Sequence, residues 1–115
     1  MKIDKTLLAG SSATLILKLL EGQDMYGYQM IEELARRSDD TFQLKAGTLY
    51  PLLHGLEKKQ LLESYEKAAD STRVRKYYRL TAKGKKALHE KTQEWTVYST
   101  AVSKILEGGR ACVSF

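Results

Sequence analysis

The chain has 115 residues, of which 43% are apolar and 29% are charged, and its formal net charge is +5. This length favours one domain and argues against a two-domain enzyme. The single thiol, Cys112, cannot form an intrachain disulfide, so the fold must depend on its apolar core, and a reducing compartment is expected. Because no run approaches ~18 consecutive apolar residues, we expect a cytoplasmic protein without a membrane partner.

Helical spacing of apolar residues predicts three helices in the first half of the chain. The first is expected over Thr6–Leu20 and ends at Glu21-Gly22. Asp24 is the expected N-cap of a second helix, whose apolar residues recur at helical spacing before Arg36-Arg37-Ser38. The third is expected over Ala46–Lys59, with a core-facing leucine stripe, and Pro51 must lie near its first turns or bend it. The stripe consists of Leu49, Leu52, Leu53 and Leu56.

Two strands and a long helix are predicted after the third helix. The strands, Leu61–Lys67 and Val74–Leu80, are rich in β-branched and aromatic residues, and a polar loop joins them. Val74 and Leu80 are expected in the core, together with at least one of the tyrosines Tyr65, Tyr77 and Tyr78. Thr81 is the expected N-cap of a last helix over Ala82–Glu107, which ends at Gly108-Gly109.

This order of elements predicts a mainly α fold with a β-hairpin wing, namely a winged helix-turn-helix domain followed by a long C-terminal helix. The expected division is a DNA-binding domain over residues 1–81, a C-terminal dimerisation helix over residues 82–107 and a flexible tail over residues 108–115.

The positive charge is concentrated in the middle of the chain. Residues 1–44 hold five basic and seven acidic groups, a balance of −2, whereas residues 45–91 hold twelve and five, a balance of +7. Residues 92–115 hold two of each and are neutral. A hairpin beside an inserted helix lets cations reach phosphates on both sides of a groove, so this distribution indicates duplex DNA as a partner. A solvated basic face is the alternative interpretation.

The outward face of the third helix is narrow and polar. A rotation of 100° per residue places a set opposite the leucine stripe that consists of Gly47, Pro51, His54 and Lys58. Lys58 and His54 are therefore candidate DNA contacts, and an idle surface histidine is the alternative for His54.

Three motifs in the sequence resemble the PadR family of bacterial transcriptional regulators. They are Tyr26-Gly27-Tyr28, the string GTLYPLLHGLEK over residues 47–58, and the string RKYYRLTAKG over residues 75–84. The resemblance covers residues 6–106 and implies a homodimeric repressor that binds a palindromic operator and is released by a small effector. By position, it also implies that Lys45, Thr48, Tyr50 and His54 lie at the major groove, while Arg73, Arg75 and Lys76 serve the wing. Thr72-Arg73-Val74-Arg75 stands where the family often has consecutive arginines and a glycine.

The last helix carries an apolar heptad pattern. Leu88, Trp95 and Val102 fall seven residues apart, and Lys91, Tyr98 and Ile105 occupy the intervening positions. A small domain has little core left to cover such a stripe, so a second copy of the chain is the simplest partner. In the compact branch of the family that the chain resembles, the last helix joins helix one of the partner. The candidate interface and ligand residues are Leu8, Ser12, Leu88, Trp95, Tyr98, Ser99, Val102 and Ile105. An intrachain core stripe is the alternative.

Trp95 is the candidate effector contact. Its spacing from the RKYYRLT string resembles that of a tryptophan that stacks on planar aromatic drugs in multidrug-responsive relatives, which implies a small aromatic or hydrophobic effector. Thr92 and Ser99 stand where those relatives have a larger aromatic and an acidic residue, so a cationic drug would lose a counter-charge. A plain anchoring role in the dimer is the alternative for Trp95.

Catalysis has the weakest support in the sequence, and we expect no enzyme, no cofactor and no metal site. The chain has no Gly-rich phosphate loop and no spaced Cys/His cluster, and neither His54 nor His89 has an evident nucleophile or carboxylate partner in sequence. Cys112 would serve as a redox sensor only if it were exposed and activated. The alternative function is a protein-interaction module that keeps the winged-helix fold, binds an acidic partner and senses no ligand.

Overall fold

The computed structural model describes residues 2–108, which form four helices and one antiparallel sheet with the strand order β1-β3-β2. In chain order the elements are α1 (Lys5–Gly22), β1 (Met25–Tyr26), α2 (Gly27–Arg37), α3 (Ala46–Lys58), β2 (Leu62–Ala68), β3 (Val74–Leu80) and α4 (Ala82–Glu107). The predicted winged-helix fold with a long last helix is thereby confirmed. Most of the expected tail, including Cys112, lies outside the described residues.

Side chains cap the first and last helices. The Asp4 carboxylate accepts a hydrogen bond from the backbone N–H of Thr6 at 2.8 Å. The Thr81 hydroxyl accepts one from the N–H of Gly84 at 2.9 Å, as predicted, and donates one to the carbonyl of Gln60 at 2.7 Å. Thr81 therefore fixes the start of α4 against the end of α3.

The predicted cap of α2 is wrong, and the hairpin has a third strand that the sequence did not indicate. Met25–Tyr26 pairs with Tyr78 and Tyr77 of β3, and α2 begins only at Gly27. Asp24 instead accepts a hydrogen bond from the Tyr65 hydroxyl at 2.6 Å. A capping preference is a local signal, and it carries no information about strand pairing with a distant segment.

The core lies between the three N-terminal helices, the sheet and the first turns of α4. Its largest fully buried side chains are Tyr78, Ile16, Leu17, Met25, Met30, Leu49, Leu53 and Leu62. Leu80 is buried as predicted, and Tyr78 is the tyrosine that faces inward. Val74 was expected in the core but is 59% exposed, because it is the first residue of β3, at the tip of the wing.

α4 is packed at its start and extends away from the rest of the molecule. Leu88 is buried in the core, whereas no later residue of α4 within the described range is buried. The molecule is accordingly elongated, with extents of 70 × 31 × 21 Å. No helix within residues 2–108 combines the length and the apolarity that a membrane crossing requires.

Candidate nucleic-acid interface

The outward face of α3 is polar and open to solvent. Thr48, His54 and Lys58 are exposed, while Leu49 and Leu53 on the opposite side are fully buried. This separation follows from the helical period, which places the core stripe and the polar set on opposite sides of one helix.

Lys45 lies just before this face. It is the exposed N-cap residue of α3, and its carbonyl accepts hydrogen bonds from the N–H groups of Thr48 and Leu49, both at 2.9 Å. The backbone of Lys45 is therefore fixed at the N-terminal end of α3, three residues before the exposed Thr48.

Tyr50 is more buried than the other predicted contacts on α3. Its ring packs over Gly27 at the start of α2, where a Cβ atom would overlap the Tyr50 hydroxyl. Burial, together with the neighbouring Tyr28 and Tyr78 phenols, raises the pKa of Tyr50 above its ordinary value. Tyr50 therefore remains a neutral hydroxyl at physiological pH and also holds α2 and α3 in a fixed relation.

The tip of the wing is closed by its own hydrogen bonds. The Asp70 carboxylate accepts bonds from the N–H and the hydroxyl of Thr72 at 2.8 and 3.0 Å, which lower the pKa of Asp70. The N–H of Ala69 donates to the carbonyl of Arg73 at 2.9 Å. A side-chain acceptor thus orders this turn without the glycine that the family often has here.

The wing cations Arg73, Arg75 and Lys76 form no ion pair within the part of the chain that the structure describes. The Arg75 guanidinium lies 4.3 Å from the centroid of the Tyr26 ring, which orients it but leaves its charge in place. Arg79 differs, since its Nε lies 3.7 Å from Asp24 and 3.6 Å from Glu63.

A cleft of about 430 Å³ separates the wing from the start of α2. It is lined by Tyr26, Gly27, Tyr28, Glu32, Tyr50, Arg73, Val74, Arg75 and Lys76. The predicted contact Tyr50 and the predicted wing cations therefore meet at one place, whereas Lys45, Thr48, His54 and Lys58 are not among its lining residues.

Sequence reasoning missed Tyr26, Tyr28 and Glu32 as members of this site. Their presence depends on the pairing of β1 with β3, which brings the start of α2 to the base of the wing. The repeated tyrosines on both sides of Gly27 were the only signal in the sequence that could have drawn attention to this segment.

The residues predicted to form the dimer and ligand interface differ in burial. Leu88 is only 3% exposed and belongs to the chain's own core. Ser12 is also buried, and its hydroxyl donates to the carbonyl of Ala9 at 3.1 Å. Both side chains are buried within the chain itself, and their role at a dimer or ligand interface stays a prediction. The remaining members are half-buried or exposed: Leu8, Trp95, Tyr98, Ser99, Val102 and Ile105.

Trp95 and Tyr98 form an aromatic pair on the free part of α4. Their ring centroids lie 6.2 Å apart with planes inclined by 36°, and Trp95 is 52% exposed.

Within residues 2–108, no group of three or more His, Cys, Asp and Glu side chains is placed to hold a metal ion.

Comparisons with known proteins identify the family. Residues 16–90 match the model of the transcriptional regulator PadR-like family. An uncharacterized protein of Lysinibacillus sphaericus is 35% identical over 102 residues, which are 89% of this chain and 94% of that protein. The structure of a transcriptional regulator from Clostridium thermocellum superposes with a TM-score of 0.81 at 32% identity and covers 87% of this chain and 97% of that one.

A second solved structure gives the same result. A PadR family transcriptional regulator from Eggerthella lenta has a TM-score of 0.79 at 35% identity and covers 89% of this chain and 87% of its own. The family match spans more than half of the sequence and includes the polar face of α3 and the wing. The chain therefore belongs to the PadR-like family of transcriptional regulators.

Proposed function

We propose that the chain is a homodimeric repressor, which binds a palindromic operator in the cytoplasm and is released by a small aromatic or hydrophobic effector at the dimer interface. Two observations carry the DNA-binding part: the exposed polar face of α3, and wing cations that take part in none of the ion pairs within residues 2–108. In this proposal residues 1–81 bind DNA and residues 82–107 form the dimer.

DNA binding rests on the arrangement of α3 and the wing. A helix that enters the major groove needs an exposed polar face, which Lys45, Thr48, His54 and Lys58 supply. The cations Arg73, Arg75 and Lys76 then lie beside the helix, where the sugar-phosphate backbone borders the groove. Repression follows if the bound dimer occludes the promoter.

Dimer formation rests on the exposed apolar surface of α4. Trp95, Tyr98 and Ile105 lie on one side of the helix, and Ile105 is 79% exposed. A helix segment that extends into water without packing is only marginally stable, since most helical stability in proteins comes from tertiary contacts. A second copy would cover this stripe, and its two-fold symmetry would match a palindrome.

An effector site rests on the Trp95–Tyr98 pair. Two aromatic rings on a surface that faces a second copy would give each dimer an apolar, polarisable wall for a planar ligand. Ligand binding releases DNA only if the ligand prefers a dimer arrangement that fits the operator poorly.

Selection from a random-sequence duplex library, followed by sedimentation of the free and bound protein, tests the first two parts. We expect a dimer in both states, enrichment of one palindrome, and an affinity that falls steeply with salt concentration. Equal and weak binding to all duplexes would contradict the operator, and a monomer at micromolar concentration would contradict the dimer.

Fluorescence titration with the planar aromatic dye 8-anilinonaphthalene-1-sulfonate tests the effector site. We expect Trp95→Ala to abolish dye binding while the affinity for the selected palindrome is retained. Unchanged dye affinity in this variant would remove Trp95 from the site.

A further inference from the structure

The cleft between the wing and α2 carries an inference beyond the operator and the effector. Its charged lining comprises three cations, Arg73, Arg75 and Lys76, and one carboxylate, Glu32. We infer that this cleft binds one backbone phosphate of duplex DNA, with Tyr28 and Arg73 as hydrogen-bond donors. Glu32 repels this phosphate and thereby weakens binding to all duplexes. The inference rests on the DNA-binding part of the proposed function.

The cleft offers donors that suit a phosphate. The Tyr28 side chain is 61% exposed on the first turn of α2, and the more buried Tyr50 lies behind it against Gly27. Arg73 is exposed at the end of the turn that the Asp70 hydrogen bonds close. Hydroxyl and guanidinium groups are both frequent phosphate donors in protein–DNA interfaces.

The position of the cleft matches the course of a DNA strand. One wall is the wing, and the other includes Tyr50 of α3, the helix expected in the major groove. Since each groove is bordered by sugar-phosphate backbone, a strand that runs between α3 and the wing passes this opening. Val74, which is exposed at the same place, presents an apolar surface suited to a deoxyribose rather than to a second phosphate.

Glu32 is the one negatively charged side chain among the residues that line the cleft. It is exposed on α2, it lines the cleft, and none of the ion pairs within residues 2–108 includes it. A carboxylate near a phosphate repels it, and the repulsion is the same for every base sequence. Glu32 thus lowers the affinity for an operator and for non-specific sites by the same factor, and the ratio of the two affinities is unchanged.

The proposed phosphate site can be tested without knowledge of the operator. Fluorescence anisotropy measures the affinity for a labelled random-sequence duplex of about 30 base pairs at roughly 50 to 200 mM KCl. We expect Tyr28→Phe to weaken binding about tenfold, as for the loss of one hydrogen bond to a charged group. Arg73→Gln should reduce the slope of log affinity against log salt by about 0.9, as for the loss of one phosphate contact.

Glu32→Gln should tighten binding roughly fivefold at the lowest salt and less at the highest. Glu90→Gln is the matched control, because it makes the same change in net charge on an exposed residue of α4 that does not line the cleft. An effect of Glu32→Gln no larger than that of Glu90→Gln overturns the inference. Tyr28→Phe within twofold of the unmodified protein overturns it as well.

The two proposals fail in different ways. Absence of binding by the unmodified protein at low salt would contradict DNA binding itself. If the unmodified protein binds DNA and the Tyr28→Phe and Glu32→Gln variants bind with the same affinity, only the proposed phosphate site is contradicted.

Discussion

The Tyr50 side chain lies directly over Gly27, and no other residue type fits at position 27 without moving it. A Cβ atom there would overlap the hydroxyl oxygen and lie 2.7 Å from the ring carbon that bears it. Gly27 is the first residue of α2, and Tyr50 lies on α3. This contact therefore sets the distance between the two helices at the edge of the candidate DNA interface.

Gly27→Ala is expected to move Tyr50 and to reduce both stability and DNA affinity. Overpacking of this kind costs about 1–3 kcal/mol of unfolding free energy, which urea denaturation measures. Gly55→Ala is a matched control in the helix interior, because no atom lies within 4 Å of its added Cβ. That control should gain about 0.5–1 kcal/mol. A Gly27→Ala variant at least as stable as the unmodified protein would contradict the contact.

The parts of the fold that the sequence predicted are those governed by local rules. The leucine stripe of α3 followed the helical period, and Thr81 followed the preference for hydroxyl side chains at N-caps. No local sequence preference predicts the two-residue strand β1, since Met25 and Tyr26 are extended only because β3 pairs with them. Its omission also concealed the cleft, as the start of α2 reaches the wing through this pairing.

The surface of α4 also depends on contacts that local sequence patterns do not predict. The heptad pattern predicted one continuous stripe from Leu88 to Ile105, but its first residue is buried by its own chain. Periodicity identifies an apolar face, and it does not say which partner covers each part of that face. Leu88 belongs to the core, where α4 contacts α1 and β3, whereas Trp95 and Ile105 farther along the helix are exposed.

Ile105→Asp is expected to dissociate the proposed dimer. It places a carboxylate within the apolar stripe, so the dissociation constant should rise about a hundredfold or more through lost burial and charge desolvation. Thr100→Asp is the control, because it introduces the same charge on the opposite side of α4. Sedimentation velocity distinguishes the two variants. Equal dimerisation of both would show that the stripe is not the interface.

Gly84→Ala is expected to loosen the attachment of α4. A Cβ at this position would overlap the backbone carbonyl of Leu61 and lie 2.9 Å from a methyl group of Leu80. The backbone of Leu61 cannot move freely, because its carbonyl also accepts a hydrogen bond from the N–H of Thr81 at 3.1 Å. We expect a loss of about 3 kcal/mol in urea unfolding. Thr81→Ala should lose about 1 kcal/mol through the missing cap.

Glu33 gives the stability a dependence on acid pH. Hydrogen bonds from Arg36 and Arg37, the latter at 2.8 Å, lower the pKa of Glu33 from 4.5 to about 2. Because the folded pKa lies below the unfolded one, this contribution is complete above about pH 4.5 and declines as the pH falls towards 2.

Glu33→Gln removes this group and should therefore lower the urea midpoint most at neutral pH. The difference between the variant and the unmodified protein should shrink between about pH 4.5 and pH 2, as protonation removes the same interaction from the unmodified protein. Arg36→Gln should raise the pKa of Glu33 towards 4.5, which NMR titration of its carboxyl carbon measures directly. The outcome that contradicts this account is a pKa of Glu33 that stays near 2 without Arg36, since its hydrogen bond is the largest cause of the shift.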